Sequence, residues 1–138
     1  MKKNKKILIV GGTGFIGFFL AQMCLRKNWK VFSFSKNLPK KIRYLKEVKY
    51  LTGDIARKKD LKVLPLSFDY VVNLGGYVDH KNKSKTYNSH FKGCKNLSNL
   101  FLNTKIKSFV QLGSSGEYGM LSSPHKENMV GNPKSIYS

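Results

Sequence analysis

The stretch Ile7-Leu8-Ile9-Val10-Gly11-Gly12-Thr13-Gly14-Phe15-Ile16-Gly17 decides the fold. Ile7 to Val10 is a short, β-branched apolar run bounded by glycine, the pattern of a buried strand, and Phe15 to Arg26 is a longer apolar segment with helical spacing. Between them the glycines stand as G-x-x-G-x-x-G at 11, 14 and 17. A strand that turns through glycine into a helix presents the helix's first N–H groups at the strand end. An anion can be held there, and a pyrophosphate can approach backbone that carries no Cβ. In strand-turn-helix context the pattern points to nucleotide binding by Gly11, Thr13, Gly14, Phe15, Ile16 and Gly17; the alternative is a purely structural turn.

Downstream the same alternation continues. Lys30 to Phe34 reads as the second strand, Leu38 to Leu45 as a short helix with Pro39 in its first turn, and Val48 to Leu51 as the third strand. Asp69 to Leu74 (DYVVNL) is a fourth, continuous in its apolar character around Val71 and Val72 as a strand covered on both faces would be. Thr86 to Leu102 has apolar residues at helical spacing, and Ser108 to Leu112 is the fifth strand. Strands and helices alternating about every 20 residues predict an α/β fold, a Rossmann-type doubly wound parallel sheet of about five strands with helices on both faces.

Composition limits what such a domain can be. The chain has 138 residues, room for one domain and not two, and 41% apolar residues exclude a disordered polycation. Its charge is +19, from 26 Lys plus Arg against 7 Asp plus Glu, which invites a polyanion partner. Only Arg26, Arg43 and Arg57 are arginine, however, whereas phosphate and base recognition favours the planar guanidinium. The lysines run from Lys2 to Lys134, so the charge reads as a solvated coat and argues against nucleic acid. The basic Met1 to Lys6 followed by apolar Ile7 to Leu25 imitates a secretory signal, but four glycines and the lack of a cleavage site speak against one, and against a membrane anchor. Cys24 and Cys94 read as reduced thiols of a cytoplasmic protein. His80 and His125 have no partners at ligand spacing, and no metal site is expected.

The glycine spacing resembles the short-chain dehydrogenase/reductase superfamily, in its extended branch of NAD-dependent epimerases and dehydratases. Further segments resemble that branch in the same order. Gly53-Asp54-Ile55 looks like its G-D-hydrophobic signature, whose carboxylate contacts the adenine amino group; read from the residues alone, Asp54 could equally cap a helix. Leu74-Gly75-Gly76 matches the small-residue stretch that lets the cofactor lie against backbone. Phe109 through Ser114-Ser115-Gly116-Glu117-Tyr118-Gly119 looks like the fifth strand and its S-S-x-x-Y-G ending. The resemblance makes Ser114 the catalytic hydroxyl, against the alternative of a serine that satisfies loop backbone. Glu127 through Tyr137-Ser138 resembles the approach to the Y-x-x-x-K motif, with Tyr137 as its acid/base. A phenol titrates near 10 unaided, and the family lowers that value with a lysine four residues on. That position would be 141, beyond residue 138.

Two positions depart from the pattern. Where NAD-using members commonly end the second strand in an acid, Ser35 is followed by Lys36. A hydroxyl beside a cation suits a 2′-phosphate, so the cofactor is NAD or NADP with a slight lean to NADP. His90 stands where the family's fourth helix usually carries Asn; it is either a plain helix histidine or a replacement near the cofactor. The expectation is thus an incomplete NAD(P)-binding Rossmann domain over residues 1–138, C-terminally truncated, without the motif lysine and the substrate-binding lobe. The resemblance implies a nucleotide sugar or similar carbohydrate as substrate, inactivity of this stretch alone, and room for a homodimer. The competing expectation is a non-catalytic dinucleotide-binding or redox-sensing module.

Overall fold

The computed structural model describes residues 4–138; Met1 to Lys3, the start of the signal-like segment, lie outside the described residues. Five strands, β1 (Lys6–Val10), β2 (Lys30–Ser35), β3 (Lys49–Thr52), β4 (Tyr70–Asn73) and β5 (Ser108–Gln111), form one sheet in the order β3-β2-β1-β4-β5. Every pairing is parallel, with Ile9 opposite Ser33 on one side and Val72 on the other. The chain winds outward from β1 to β3, then crosses back to lay β4 on the other side of β1. That reversal opens a crevice beyond the carboxyl ends of β1 and β4, where ligands of open α/β sheets bind.

The alternation of β1 divides the core. Leu8 and Val10 face Phe34, Val71, Leu97 and Phe101, whereas Ile7 and Ile9 face Ala21, Cys24 and Val31. A strand buried on both faces has no polar side to display, hence its unbroken apolar sequence. Helix α1 (Phe15–Arg26) buries Gly17, Ala21 and Cys24, one stripe of small residues that lets it lie close on the Ile7/Ile9 face. It stops at Asn28, whose φ of +57° suits asparagine, with the Asn28 N–H donating to the Leu25 carbonyl at 2.8 Å.

Three expectations are corrected in detail. Leu38 to Leu45 is not an α-helix; only Lys41–Arg43 forms a 3₁₀ turn, because Leu38 and Ile42 stay exposed and a single short turn without packing cannot repay nucleation. A 3₁₀ segment at Lys58–Val63, not foreseen, buries Leu61 against the core. The fourth helix begins earlier than Thr86. It runs as α2 (Lys83–Tyr87), capped by Asn82, then a π-helical turn at Asn88–Lys92, then α3 (Gly93–Phe101). Among the described residues, no helix is long and apolar enough to cross a membrane.

Candidate functional site

Gly11 closes the turn after β1 with φ +76°, a conformation that favours glycine, and its N–H donates to the Phe34 carbonyl at 2.8 Å. A Cβ there would come within 3.0 Å of the Leu74 carbonyl and the Gly75 nitrogen, so the loops after β1 and β4 touch through backbone. Gly17 plays a different part: a Cβ on it would stand 2.5 Å from the Gly11 carbonyl oxygen and 2.6 Å from Gly12 Cα. The missing side chain is what brings the helix against the turn. Gly14 caps α1 in extended geometry without a side-chain bond, and no acid stands in the first turn. Unpartnered first-turn N–H groups with no carboxylate nearby favour an anion.

Above this turn lies a cavity of about 350 Å³. Gly11, Thr13, Gly14, Ser35, Lys36, Ile55, Leu74, Gly75 and Gly76 line it, nine of the residues singled out from sequence. Phe15, Ile16 and Gly17, in the first turn of α1, do not line it; Phe15 and Ile16 are exposed and Gly17 is buried against the turn. Asn37, Val78 and Ser89 also line it and carried no sequence motif. Asn73 was missed as well. Its buried side chain accepts from the Gly75 N–H at 3.1 Å and donates to Gln111 Oε1 at 2.7 Å, fixing the loop after β4 and tying it to β5. A buried amide at the end of an apolar strand was the available signal.

At the β2 end, the Thr13 N–H reaches Ser35 Oγ at 3.4 Å, and Lys36 Nζ pairs with Asp54 Oδ2 at 3.0 Å. Asp54 Oδ1 accepts from the Ala56 N–H at 2.9 Å and closes a local turn, but it caps no helix: the 3₁₀ segment that follows has Arg57 at its N-cap and no side-chain cap bond. Burial pushes the Asp54 carboxyl up, but the Ala56 N–H and the Lys36 ammonium outweigh it and hold it below the ordinary carboxylate value. Asp54 keeps further lone pairs for an amino group.

A second cavity, of about 220 Å³, shares Leu74, Gly75, Gly76 and Val78 with the first and carries the crevice on toward β5. His80, His90, Leu112, Gly113 and Tyr137 form its far side. His90 Nε2 meets the Tyr77 backbone, 3.2 Å from its nitrogen and 3.1 Å from its carbonyl oxygen, with the ring tautomer deciding which of the two it bonds, and a Cβ on Gly76 would stand 2.6 Å from His90 Cε1. Ser114 does not line this cavity. It caps a 3₁₀ turn at Ser115–Tyr118, its hydroxyl accepting from the Gly116 N–H at 3.1 Å while Glu117 Oε1 takes the Ser114 N–H at 2.8 Å. A Cβ on Gly116 would lie 3.2 Å from Ser138 Oγ and 3.4 Å from Ser114 Oγ, so the residue after Tyr137 does reach the Ser114 turn. Among the described residues, no three His, Cys, Asp or Glu gather as a metal site.

A model of the NAD dependent epimerase/dehydratase family matches residues 7–138. No curated protein matches the sequence at a significant level. Solved structures share the fold at low identity. Thermus thermophilus UDP-glucose 4-epimerase, in complex with NAD, is 21% identical with a TM-score of 0.82, over 96% of this chain and 46% of that one. The Bordetella bronchiseptica enzyme WbmG, in complex with NAD and UDP, is 18% identical with a TM-score of 0.86, over 98% and 46%. Bacillus cereus UDP-glucuronic acid 4-epimerase, in complex with NAD, is 22% identical with a TM-score of 0.78, over 96% and 47%. This chain spans about half the length of each.

Proposed function

Because the chain belongs to the NAD-dependent epimerase/dehydratase family, we propose that residues 1–138 are the NAD(P)-binding domain of an enzyme acting on a nucleotide sugar. The observation that carries the reading is the glycine cradle: Gly11 against Gly75, and Gly17 against Gly11, leave a Cβ-free floor under a 350 Å³ cavity at the switch point. A pyrophosphate fits such a floor, taking first-turn N–H groups of α1 near Thr13 and Gly14. Asp54 and Ile55 would hold the adenine end, and Leu74, Gly75 and Gly76 would let the nicotinamide end run along backbone toward the second cavity.

A dinucleotide held by these residues would supply reversible hydride chemistry at a sugar carbon. The chain's own part is the proton. Tyr137, on the wall of the second cavity, would exchange it with the sugar oxygen. The family resemblance gives Ser114 the part of donating to that same oxygen; it retains a hydroxyl proton for this while its lone pair holds the Gly116 N–H, but its turn adjoins the second cavity from outside the wall. Tested alone, the 138-residue chain is expected to bind dinucleotide without turning over UDP-sugars, since it supplies the cofactor half; turnover by the purified chain would overturn that. Cys24 and Cys94 are free thiols, which supports a cytoplasmic setting.

Within this reading NADP is the favoured cofactor. β2 ends in Ser35 and is followed by Lys36, so neither position offers a carboxylate to ribose hydroxyls, and the Lys36 side chain, though paired with Asp54, is largely exposed. Calorimetric titration tests both levels. NADH and NADPH should both bind, NADPH more tightly, and Lys36→Ala should weaken NADPH about fivefold, the worth of about 1 kcal/mol from one charged contact, while sparing NADH. No binding of either dinucleotide would sink the function; a preference for NADH would sink the NADP assignment alone.

A further inference from the structure

We infer that His80 is a positioning residue for Tyr137, holding the plane of its ring; the inference rests on the reading of Tyr137 as the proton-exchanging group. The Tyr137 ring meets two imidazoles. His80 stacks on it with 3.7 Å between ring centroids and 13° between planes, and His90 meets it at 4.9 Å and 79°. The two imidazoles are themselves 5.7 Å apart, so three rings converge beside Gly76.

The two histidines are held differently. His90 is fixed by the fold: it rides on the π-helical turn Asn88–Lys92, its Nε2 bonds the Tyr77 backbone, and its ring fills the space over Gly76. A π turn inserted in a helix re-aims the side chains it carries and recurs at functional sites. His80 comes instead from the exposed connection between β4 and α2, where the Asp79 carbonyl accepts from the Asn82 N–H at 3.2 Å and the Asp79 carboxylate from the Lys81 N–H at 3.3 Å. That turn presents the imidazole face-on to Tyr137.

One edge contact leaves a phenol free to rotate about its side-chain bonds. A second ring laid flat on it removes that freedom, since aromatic pairs have preferred stacked and edge-on arrangements. The hydroxyl oxygen lies on the ring's long axis, so it is the limit on rotation about Cα–Cβ that keeps it in the wall with Gly76 and Gly113, while the set plane fixes the O–H bond, which conjugation holds in the plane of the ring. Nothing in the sequence gave His80 this part, because its partner lies 57 residues away.

The test uses the 138-residue chain with 13C-labelled tyrosine, the Tyr137 ring resonance being assigned by Tyr137→Phe. In the wild type the stacked imidazole should displace that resonance upfield. His80→Ala should move it downfield, leaving only the smaller effect of the edge-on His90 ring, and His80→Phe, which can stack without imidazole nitrogens, should restore it. A Tyr137 resonance unmoved by His80→Ala overturns the inference, as does failure of His80→Phe to restore it in a chain whose circular dichroism is unchanged. If no variant, wild type included, binds NADH or NADPH, the cofactor reading fails while the ring measurement still decides His80.

Discussion

Replacing Gly17 by alanine separates the steric account of the glycine turn from a compositional one. The added Cβ would stand 2.5 Å from the Gly11 carbonyl oxygen and 2.6 Å from Gly12 Cα, where real Cβ contacts below 3.0 Å essentially never occur. Both partners are backbone, so no side chain can swing away. The helix and the turn must part by at least half an ångström. Overpacking against rigid atoms costs about 3 kcal/mol, and alanine in place of glycine within a helix returns about 1 kcal/mol. The net loss of about 2 kcal/mol lowers Tm by roughly 6–8 °C in a domain of this size. Because the displaced atoms are the floor of the cavity, NADH affinity should fall with it, by about tenfold or more for each 1.4 kcal/mol of lost fit. Gly14→Ala is the internal comparison: its Cβ meets only the Gly11 carbonyl oxygen, at 3.2 Å, and φ is an unstrained −76°. It should cost under about 1 kcal/mol, the loss expected at a helix cap. Thermal melting and NADH titration of both variants give the ranking. A Gly17→Ala chain that melts and binds like wild type, or that is less impaired than Gly14→Ala, refutes the reasoning.

Two further outcomes follow from the same geometry. Asp54, held below its ordinary value by the Ala56 N–H and Lys36 against the upward push of burial, stabilises the fold fully above its unfolded value, and that contribution is lost as pH falls through the folded value. Urea unfolding from about pH 6 down to about pH 3 should therefore show a steeper loss of stability in wild type than in Asp54→Asn, and parallel losses would contradict it. Val110 and Leu112 are 49% and 51% exposed at the β5 edge, leaving apolar surface and an unpaired strand open to a second chain. The 138-residue chain should associate in sedimentation with rising concentration and Val110→Lys should shift it toward monomer; a wild type that stays monomeric throughout refutes this.

What the sequence disclosed and what it withheld divide along the two cavities. The floor of the first is built from a local device, a strand passing through Gly11 and Gly14 into α1, and such a device is visible within a dozen residues. The strand positions followed for a related reason: a sheet covered on both faces demands runs such as Ile7 to Val10 and Tyr70 to Asn73 that no helix of that length could use. The helix expected at Leu38 to Leu45 failed because its apolar residues signalled packing that the fold does not provide; Ile42 is 86% exposed. The second cavity obeys another logic. Gly76 and His80 come from the connection after β4, Gly113 from the one after β5, Tyr137 from the C-terminal segment and His90 from a π turn, and only the tertiary fold brings them together. The oddity of His90 was legible as a departure from the Asn the family carries there, but its purpose was not, since Gly76 and Tyr137 stand on either side of it in space and far from it in sequence. The two cavities are joined by Leu74, Gly75 and Gly76, a segment whose own position depends on Asn73 and Gln111. Disturbing that amide pair should therefore affect both cavities at once, whereas Gly17 acts on the first and His80 on the second. Cofactor binding and the orientation of Tyr137 are for that reason separable by mutation on either flank of the crevice and coupled only at its centre.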